Sequence, residues 1–243
     1  MGRHGVIANR KASQDAKRGQ LFTKYARLIT VAAKAGGDPI YNIALKNAID
    51  KAKGINMPND NINRAIKKGT GELEGELYEA INYEGYGPGG VAIIVDSLTD
   101  NKNRTSSQVK HFFDKYNGNL GVPGCVTYMF ERKGYFLIEK TEKVSEEALM
   151  ETALEAGMED MNVNEDSFEI ITATEDFENV KAALQEAGYE FVEADLELLP
   201  TITAPTPSAE DLKLLKKLVA ALEDHDDVQK VYHNCDEDLY GDE

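Results

Sequence analysis

Residues 134–200 read GYFLIEKTEKVSEEALMETALEAGMEDMNVNEDSFEIITATEDFENVKAALQEAGYEFVEADLELLP, and the fold turns on this stretch. Tyr135 to Glu139 is an apolar, β-favouring run that fits a buried strand. Ser145 can cap a helix that runs to Ala156 and stops at Gly157. Short strands follow around Met161–Val163 and Phe168–Thr172. Phe177 to Ala187 then reads as a helix ended by Gly188, and Glu190 to Leu198 as a strand. Strand, helix, strand, strand, helix, strand is the split βαβ order of a ferredoxin-like sandwich.

On the C-terminal side, Thr201 to Pro207 carries prolines and reads as a linker. Ser208 caps a helix with Leu212, Leu215, Leu218, Val219 and Leu222 along one side. A last strand, Val228 to Tyr232, precedes an acidic tail from Asp236 to Glu243. On the N-terminal side, Tyr83 to Gly90 is a turn cluster and Val91 to Val95 a β-branched run. Asn103 to Tyr116 follows as a helix with Val109, Phe112 and Phe113 on one stripe, then Val126 to Phe130 as a strand. Residues 79–133 therefore supply half of an αβ sandwich, and the final helix and strand are the missing half. The expectation is an α+β chain in which 134–200 is an acidic ferredoxin-like insertion into a discontinuous αβ domain of 76–133 plus 201–243.

The first 75 residues read as a separate basic helical domain. Ser13 can cap a first helix, with Leu21, Phe22, Tyr25, Leu28, Ile29 and Ala32 at spacings of three and four. Gly36-Gly37 stops it, and Asp38-Pro39 restarts the chain, with Asp38 as cap and Pro39 at the first helical position of a helix bearing Ile43, Leu45, Ala48, Ile49 and Ala52. Gly54 ends that helix. Pro58 opens a third, with Ile62, Ala65 and Ile66 inward and Arg64, Lys67 and Lys68 outward, ending at Gly69.

Charge divides along the same boundary. Residues 1–70 carry fourteen Lys and Arg against four Asp, a net +10, whereas 71–243 carry 13 basic and 39 acidic residues, a net −26. A sign reversal on the scale of a domain means that one part attracts polyanions and the rest is repelled by them. The plainer alternative is a basic face that docks on the acidic remainder. Residues 134–200 alone hold 19 acids against three bases, which reads as a solvated face.

Catalytic and metal motifs are missing. The glycines at 85–90 lead into a strand, whereas phosphate-cradling glycines must lead into a helix N-terminus, so they read as a tight turn. His4, His111, His225 and His233 are scattered, and no paired zinc-ligand spacing occurs. No Gly-x-Ser-x-Gly is present. The run Glu223-Asp224-His225-Asp226-Asp227 reads as a solvated helix end. The expectation is a protein that is not an enzyme and takes no cofactor, metal or small-molecule substrate.

The candidate nucleic-acid-binding residues are instead cationic: Arg3, His4, Arg10, Lys11, Lys17 and Arg18 in a basic arm and first turns, then Lys24, Arg27 and Lys34, and Arg64, Lys67 and Lys68 on the third helix. Each phosphate contact adds affinity by releasing counterions. Lys102, Asn103, Arg104 and Thr105 open a later helix, where N–H groups and two cations favour an anion; the alternative is capping and solubility. With 243 residues, 42% hydrophobic and 29% charged, two Cys and no 18-residue apolar run, the chain reads as a cytoplasmic globular protein without a membrane span. No helix-turn-helix signature or dimer seam is readable, and a monomer is compatible with the sequence.

Several stretches together resemble a known family. These are Lys11-Ala12-Ser13-Gln14-Asp15-Ala16-Lys17-Arg18-Gly19, Phe22-Thr23-Lys24, Asn56-Met57-Pro58 and Ile66-Lys67-Lys68-Gly69. Tyr83-Glu84-Gly85-Tyr86-Gly87-Pro88, Asp100-Asn101-Lys102-Asn103-Arg104-Thr105 and Gly118-Asn119-Leu120-Gly121 complete the set. The chain resembles the YebC/PmpR family, whose mitochondrial relatives act as a translational activator of cytochrome c oxidase. The resemblance implies a helical domain followed by two αβ domains, and a cytoplasmic DNA-binding transcriptional regulator. The alternative it implies is an RNA-binding translation factor on the ribosome, acting where nascent chains stall. The family usually begins Gly-His-Ser-Lys-Trp, whereas this chain has Gly2-Arg3-His4-Gly5-Val6 and no Trp.

Overall fold

A computed structural model of the chain describes residues 18–240, with the side chain of Arg18 excepted. Among them are seven α-helices and two four-stranded antiparallel sheets, an α+β fold.

Three helices come first: α1 (Arg18–Ala33), α2 (Ile43–Gly54) and α3 (Asn59–Thr70). Ile29, Ala33, Leu45, Ala48, Ile49, Ala52, Met57, Ile62 and Ala65 form their shared core. Small side chains let α1 and α3 approach closely. A Cβ on Gly69 would sit 2.3 Å from the Thr30 carbonyl oxygen. Gly69 thus lies inside α3 rather than at its end, and the helix stops at Gly71, whose φ of 83° is the left-handed cap conformation. The start of α2 also differs from the sequence reading. The Asp38 carboxylate is spent on a local turn, accepting from the Ile40 N–H at 2.9 Å. Asn42 caps α2 instead, accepting from the Leu45 N–H. Its amide donates to the Ala32 and Gly36 carbonyls, both at 2.8 Å, so one side chain ties the end of α1 to the start of α2. The Ser13 cap lies outside the described residues.

The first sheet contains β1 (Glu79–Tyr86), β2 (Ala92–Thr99), β3 (Asn119–Leu120) and β8 (Val228–His233), in the order β3-β1-β2-β8. Helices α4 (Lys102–Lys115) and α7 (Ala209–Glu223) cover one face. Val91, Ile93, Val95, Val109, Phe113, Leu215, Leu218 and Leu222 fill the space between. The sheet takes its last strand from the end of the chain, since β8 pairs with β2. Residues Tyr83–Tyr86, read as part of a turn, belong to β1; only the segment Pro88–Gly90 turns, as one 3-10 turn.

The second sheet contains β4 (Phe130–Glu139), β5 (Met158–Val163), β6 (Ser167–Thr172) and β7 (Glu193–Pro200), in the order β5-β6-β4-β7. Helices α5 (Glu146–Ala156) and α6 (Phe177–Glu186) complete the ferredoxin-like arrangement. Phe136, Ile138, Leu149, Phe168, Ile170, Val180 and Leu184 are its core. Val126 to Phe130 does not form a strand of its own. Thr127–Met129 is a 3-10 turn, and β4 runs unbroken from Phe130.

The faces of the two sheets that carry no helix meet each other. Ala92, Ile94 and Tyr232 of the first pack with Val126, Phe130 and Leu198. The β2 strand is therefore buried on both sides, which is why its apolar run is continuous rather than alternating.

Candidate nucleic-acid interface

Helix periodicity decides which cations of the helical domain stay in water. On α1, Lys24 and Arg27 share a side with Gln20, and that side docks on the C-terminal end of α7. The Lys24 ammonium donates to the Glu223 carbonyl at 2.6 Å. Arg27 donates to the Asp226 carbonyl at 2.6 Å and pairs with the Asp227 carboxylate at 2.5 Å. Unsatisfied carbonyls and the negative end of the helix dipole make a helix C-terminus a natural seat for cations. Lys34 donates to the Tyr78 carbonyl at 3.0 Å. Of the sequence candidates, Lys24, Arg27 and Lys34 thus have partners inside the chain.

The other face of the helical domain differs. Arg64, Lys67 and Lys68 stand at i, i+3 and i+4 on α3, all exposed, and none has an ion pair among the described residues. Arg3, His4, Arg10, Lys11 and Lys17 lie outside the described residues, together with the side chain of Arg18. Docking and outward exposure, the two alternatives for the basic domain, therefore each describe part of it.

In the Lys102–Thr105 cluster only Thr105 is buried, and the two exposed cations are paired with carboxylates of the chain itself, which favours the capping alternative over an open anion site. Asn101 caps α4 by accepting from the Arg104 N–H at 3.1 Å. Arg104 pairs with Asp100 at 2.6 Å and with Asp227 at 2.8 Å. The Thr105 hydroxyl donates to Asp227 at 2.6 Å and lies 2.8 Å from the Thr99 hydroxyl. Lys102 pairs with Glu79 across the start of β1, and Asn103 is exposed. The anion that this cluster holds is the chain's own Asp227.

Asp227 is 1% exposed and joins α1, α4 and the turn after α7. Burial alone would raise its carboxyl, but hydrogen bonds from Arg104 and Thr105 and the charge of Arg27 hold it down at about 2. His225 Nδ1 accepts from the Asp227 N–H at 3.0 Å, and its Nε2 lies 2.6 Å from Gln108. Its burial lowers its pKa and favours the neutral ring. Asp227 and the backbone carbonyls of Glu223 and Asp226 thus anchor the helical domain, while Asp224 and Asp226 are exposed as a solvated end would be.

A second junction joins all three parts of the chain. Glu193, Asp195 and Glu197 alternate along β7 and face Lys230 of β8, at 3.3 Å for Glu193 and 3.2 Å for Asp195. Lys51 of α2 reaches Asp195 at 2.6 Å. Burial would raise the Asp195 carboxyl, but Lys230 and Lys51 lower it. These three acids, counted with a solvated face in the sequence, instead bind the domains together.

Known proteins are similar to this chain in sequence and fold. Residues 3–72 match the family described as TACO1/YebC protein N-terminal domain, and residues 78–235 match TACO1/YebC second and third domain. The chain belongs to the TACO1/YebC family. This confirms the resemblance read from the motifs, and the gap between the matched regions falls in the linker from α3 to β1. One family relative, a protein of Clostridioides difficile (strain 630), is 58% identical over 235 residues, covering 96% of this chain and 98% of its own. Another, from Acetivibrio thermocellus, is 51% identical, covering 94% of this chain and 95% of its own. Both bear the name "probable transcriptional regulatory protein". The crystal structure of a conserved hypothetical protein from Aquifex aeolicus shares the fold, with a TM-score of 0.83 at 48% identity over 91% of each chain. Among the described residues of this family member, no helix is long and apolar enough to cross a membrane, and no group of three metal-binding side chains converges.

Proposed function

We propose that the chain is a non-enzymatic nucleic-acid-binding regulator of the cytoplasm, gripping phosphates with the exposed α3 face of Arg64, Lys67 and Lys68 and with the basic segment that precedes α1. The observation that carries this reading is that these three exposed cations have no ion pair among the described residues, although residues 71–243 carry a net charge of −26. In an acidic protein, cations that find no internal carboxylate are those available to an external polyanion. The acidic remainder orients the molecule, because only the helical end can approach a phosphate backbone without repulsion. The names of the relatives favour DNA as the target and transcription as the process.

The test is titration of the full chain with labelled duplex DNA at several salt concentrations. Replacing Arg64, Lys67 and Lys68 together by Gln should weaken binding and reduce the slope of log affinity against log salt by about 2 to 3, since each lost phosphate contact removes about 0.9. An unchanged slope removes α3 from the interface. Genome-wide DNA crosslinking beside sucrose-gradient fractionation then assigns the process. Discrete DNA peaks support transcription, whereas comigration with ribosomes and no peaks moves the role to translation.

A further inference from the structure

Between α1 and α3 lies an open groove of about 460 Å³, bounded on one side by the linker 71–78. That volume falls within the range of small-ligand clefts. Phe22 and Tyr78 give its wall aromatic surface, Arg64 and Lys68 give it cations, and Glu76 supplies one carboxylate. Arg27 also lines it, and the Arg27 Nε–H is buried with no hydrogen-bond partner among the described residues.

The wall is held in place before any ligand arrives. The Arg27 guanidinium lies 5.3 Å from the centroid of the Tyr78 ring, and Lys34 holds the Tyr78 carbonyl. The Tyr78 hydroxyl donates to Glu76 at 2.7 Å. Burial and the Glu76 carboxylate push this phenol up to about 12, so it remains a donor at ordinary pH. The Lys68 stem lies over Gly75, where an added Cβ would sit 3.2 Å from it.

Besides Arg27, which is paired with Asp227, the groove combines aromatic surface, two cations and one acceptor. A plain anion site would exclude Glu76, and an apolar pocket would exclude Arg64 and Lys68. A nucleotide answers all three, because it has a π-face, a phosphate and ring N–H donors in one molecule. Bases inside a duplex are stacked on one another and cannot present a face, so the ligand must be unpaired. We propose that this groove seats a single unpaired nucleotide of a nucleic-acid strand, with the base against Tyr78, its phosphate between Arg64 and Lys68, and its edge toward Glu76. The inference rests on the nucleic-acid-binding reading and names the form of ligand that this part of the surface takes.

The experiment measures anisotropy of the full chain with short single-stranded RNA, short single-stranded DNA and a fully paired duplex. Tyr78→Leu should lose about tenfold in affinity for single strands of either sugar, the scale of one stacked base, and stay within about twofold on the duplex. A second measurement does not depend on that variant folding. In NMR spectra of the wild type, a nucleoside 5′-monophosphate should move the amides of 22–30, 61–68 and 76–78. The exposed substitution Arg64→Gln should remove those shifts, and inorganic phosphate should leave 76–78 in place. Equal effects of Tyr78→Leu on single strands and duplex, or shifts from phosphate that match those from the nucleotide, overturn the proposal. A wild-type chain that binds none of the probes defeats the broader reading as well. Normal duplex binding with single-strand affinity insensitive to Tyr78→Leu defeats the groove alone.

Discussion

Replacing Asp227 by Asn keeps the side chain's size and removes its charge, which makes it a clean test of the junction between α1 and the first αβ unit. The wild-type carboxylate accepts from Thr105 at 2.6 Å and Arg104 at 2.8 Å, pairs with Arg27 at 2.5 Å, and is 1% exposed. Its depression from 3.8 to about 2 corresponds to about 2 kcal/mol of preference for the ionised form, at 1.36 kcal/mol per pH unit. Breaking a buried ion pair by removing one charge costs about 3 to 5 kcal/mol. The two routes bracket a loss of about 2 to 5 kcal/mol, or a fall in melting temperature of about 4–20 °C for a chain of this size. The pH dependence has a definite sign. A carboxyl depressed by folding stabilises the protein above its unfolded pKa, and that contribution is lost as pH falls through the folded value. The gap between wild type and Asp227→Asn should therefore be full at pH 7 and narrow as pH drops from about 4 toward about 2. Melting curves across that range check it. Combining the change with Arg27→Met should cost clearly less than the sum of the two alone. A gap below about 2 °C at pH 7, or one that holds its size down to pH 3, would refute the assignment of Asp227 as an ionised anchor.

Two further predictions concern backbone crowding and a buried carboxylate. Gly69→Ala should destabilise the helical domain by about 1 to 3 kcal/mol in thermal melts, because the new Cβ meets the Thr30 carbonyl at 2.3 Å and overpacking outweighs the ~1 kcal/mol helix preference of Ala. Gly54→Ala, with nothing within 4 Å of the added atom, should be neutral or stabilising by up to about 1 kcal/mol. Glu84 accepts from the Gly124, Val126 and Thr127 N–H groups at 2.8 to 3.0 Å. Burial would raise its carboxyl, but those three bonds hold it down. Glu84→Gln should place an NH₂ group against donors and speed amide exchange at Val126 and Thr127 about tenfold or more, and unchanged protection there would count against the anchor.

How much was legible follows from where each element's partners lie. The ferredoxin-like unit carries local signals throughout: Ser145 and Gly157 bound α5, and its strands are short apolar runs between turn residues. The end of β1 is hidden because Gly85 suggests a turn. In the fold Gly85 is a strand residue kept small by β3, since a Cβ would meet the Asn119 carbonyl at 2.5 Å. The two-residue β3 has no pattern of its own to read. Asn42 outcompetes Asp38 as a cap because only Asn42 also reaches the end of α1, a contact that local sequence does not display.

The candidate interface follows the same logic. Periodicity marks Lys24 and Arg27 as lying off the apolar stripe of α1, but it cannot say that α7, about 200 residues later, covers that side. The Asp227 anchor has its partners 122 to 200 residues away, so the run of acids around it looks like any solvated helix end. Only the end of α7 and the turn after it, placed by packing of the whole sheet, distinguish the two basic faces.

That division changes what the net charge means for binding. A domain of net +10 would ordinarily be assigned its full charge as grip. Here Lys24, Arg27 and Lys51 are spent on Glu223, Asp226, Asp227 and Asp195, and their removal would loosen the domain before it weakened any contact with phosphate. Arg64, Lys67 and Lys68 have no such ion pair among the described residues. The same helical domain is therefore glued by one set of cations and presented by another. The acids that hold the first set are also what orient the second, since Asp195, Asp227 and their neighbours fix which side of α3 faces away from the negative bulk. If the α3 face binds a polyanion as proposed, it does so at a fixed angle, because turning the protein to use α1 would first require breaking the Arg27–Asp227 pair and freeing Lys24 from the Glu223 carbonyl.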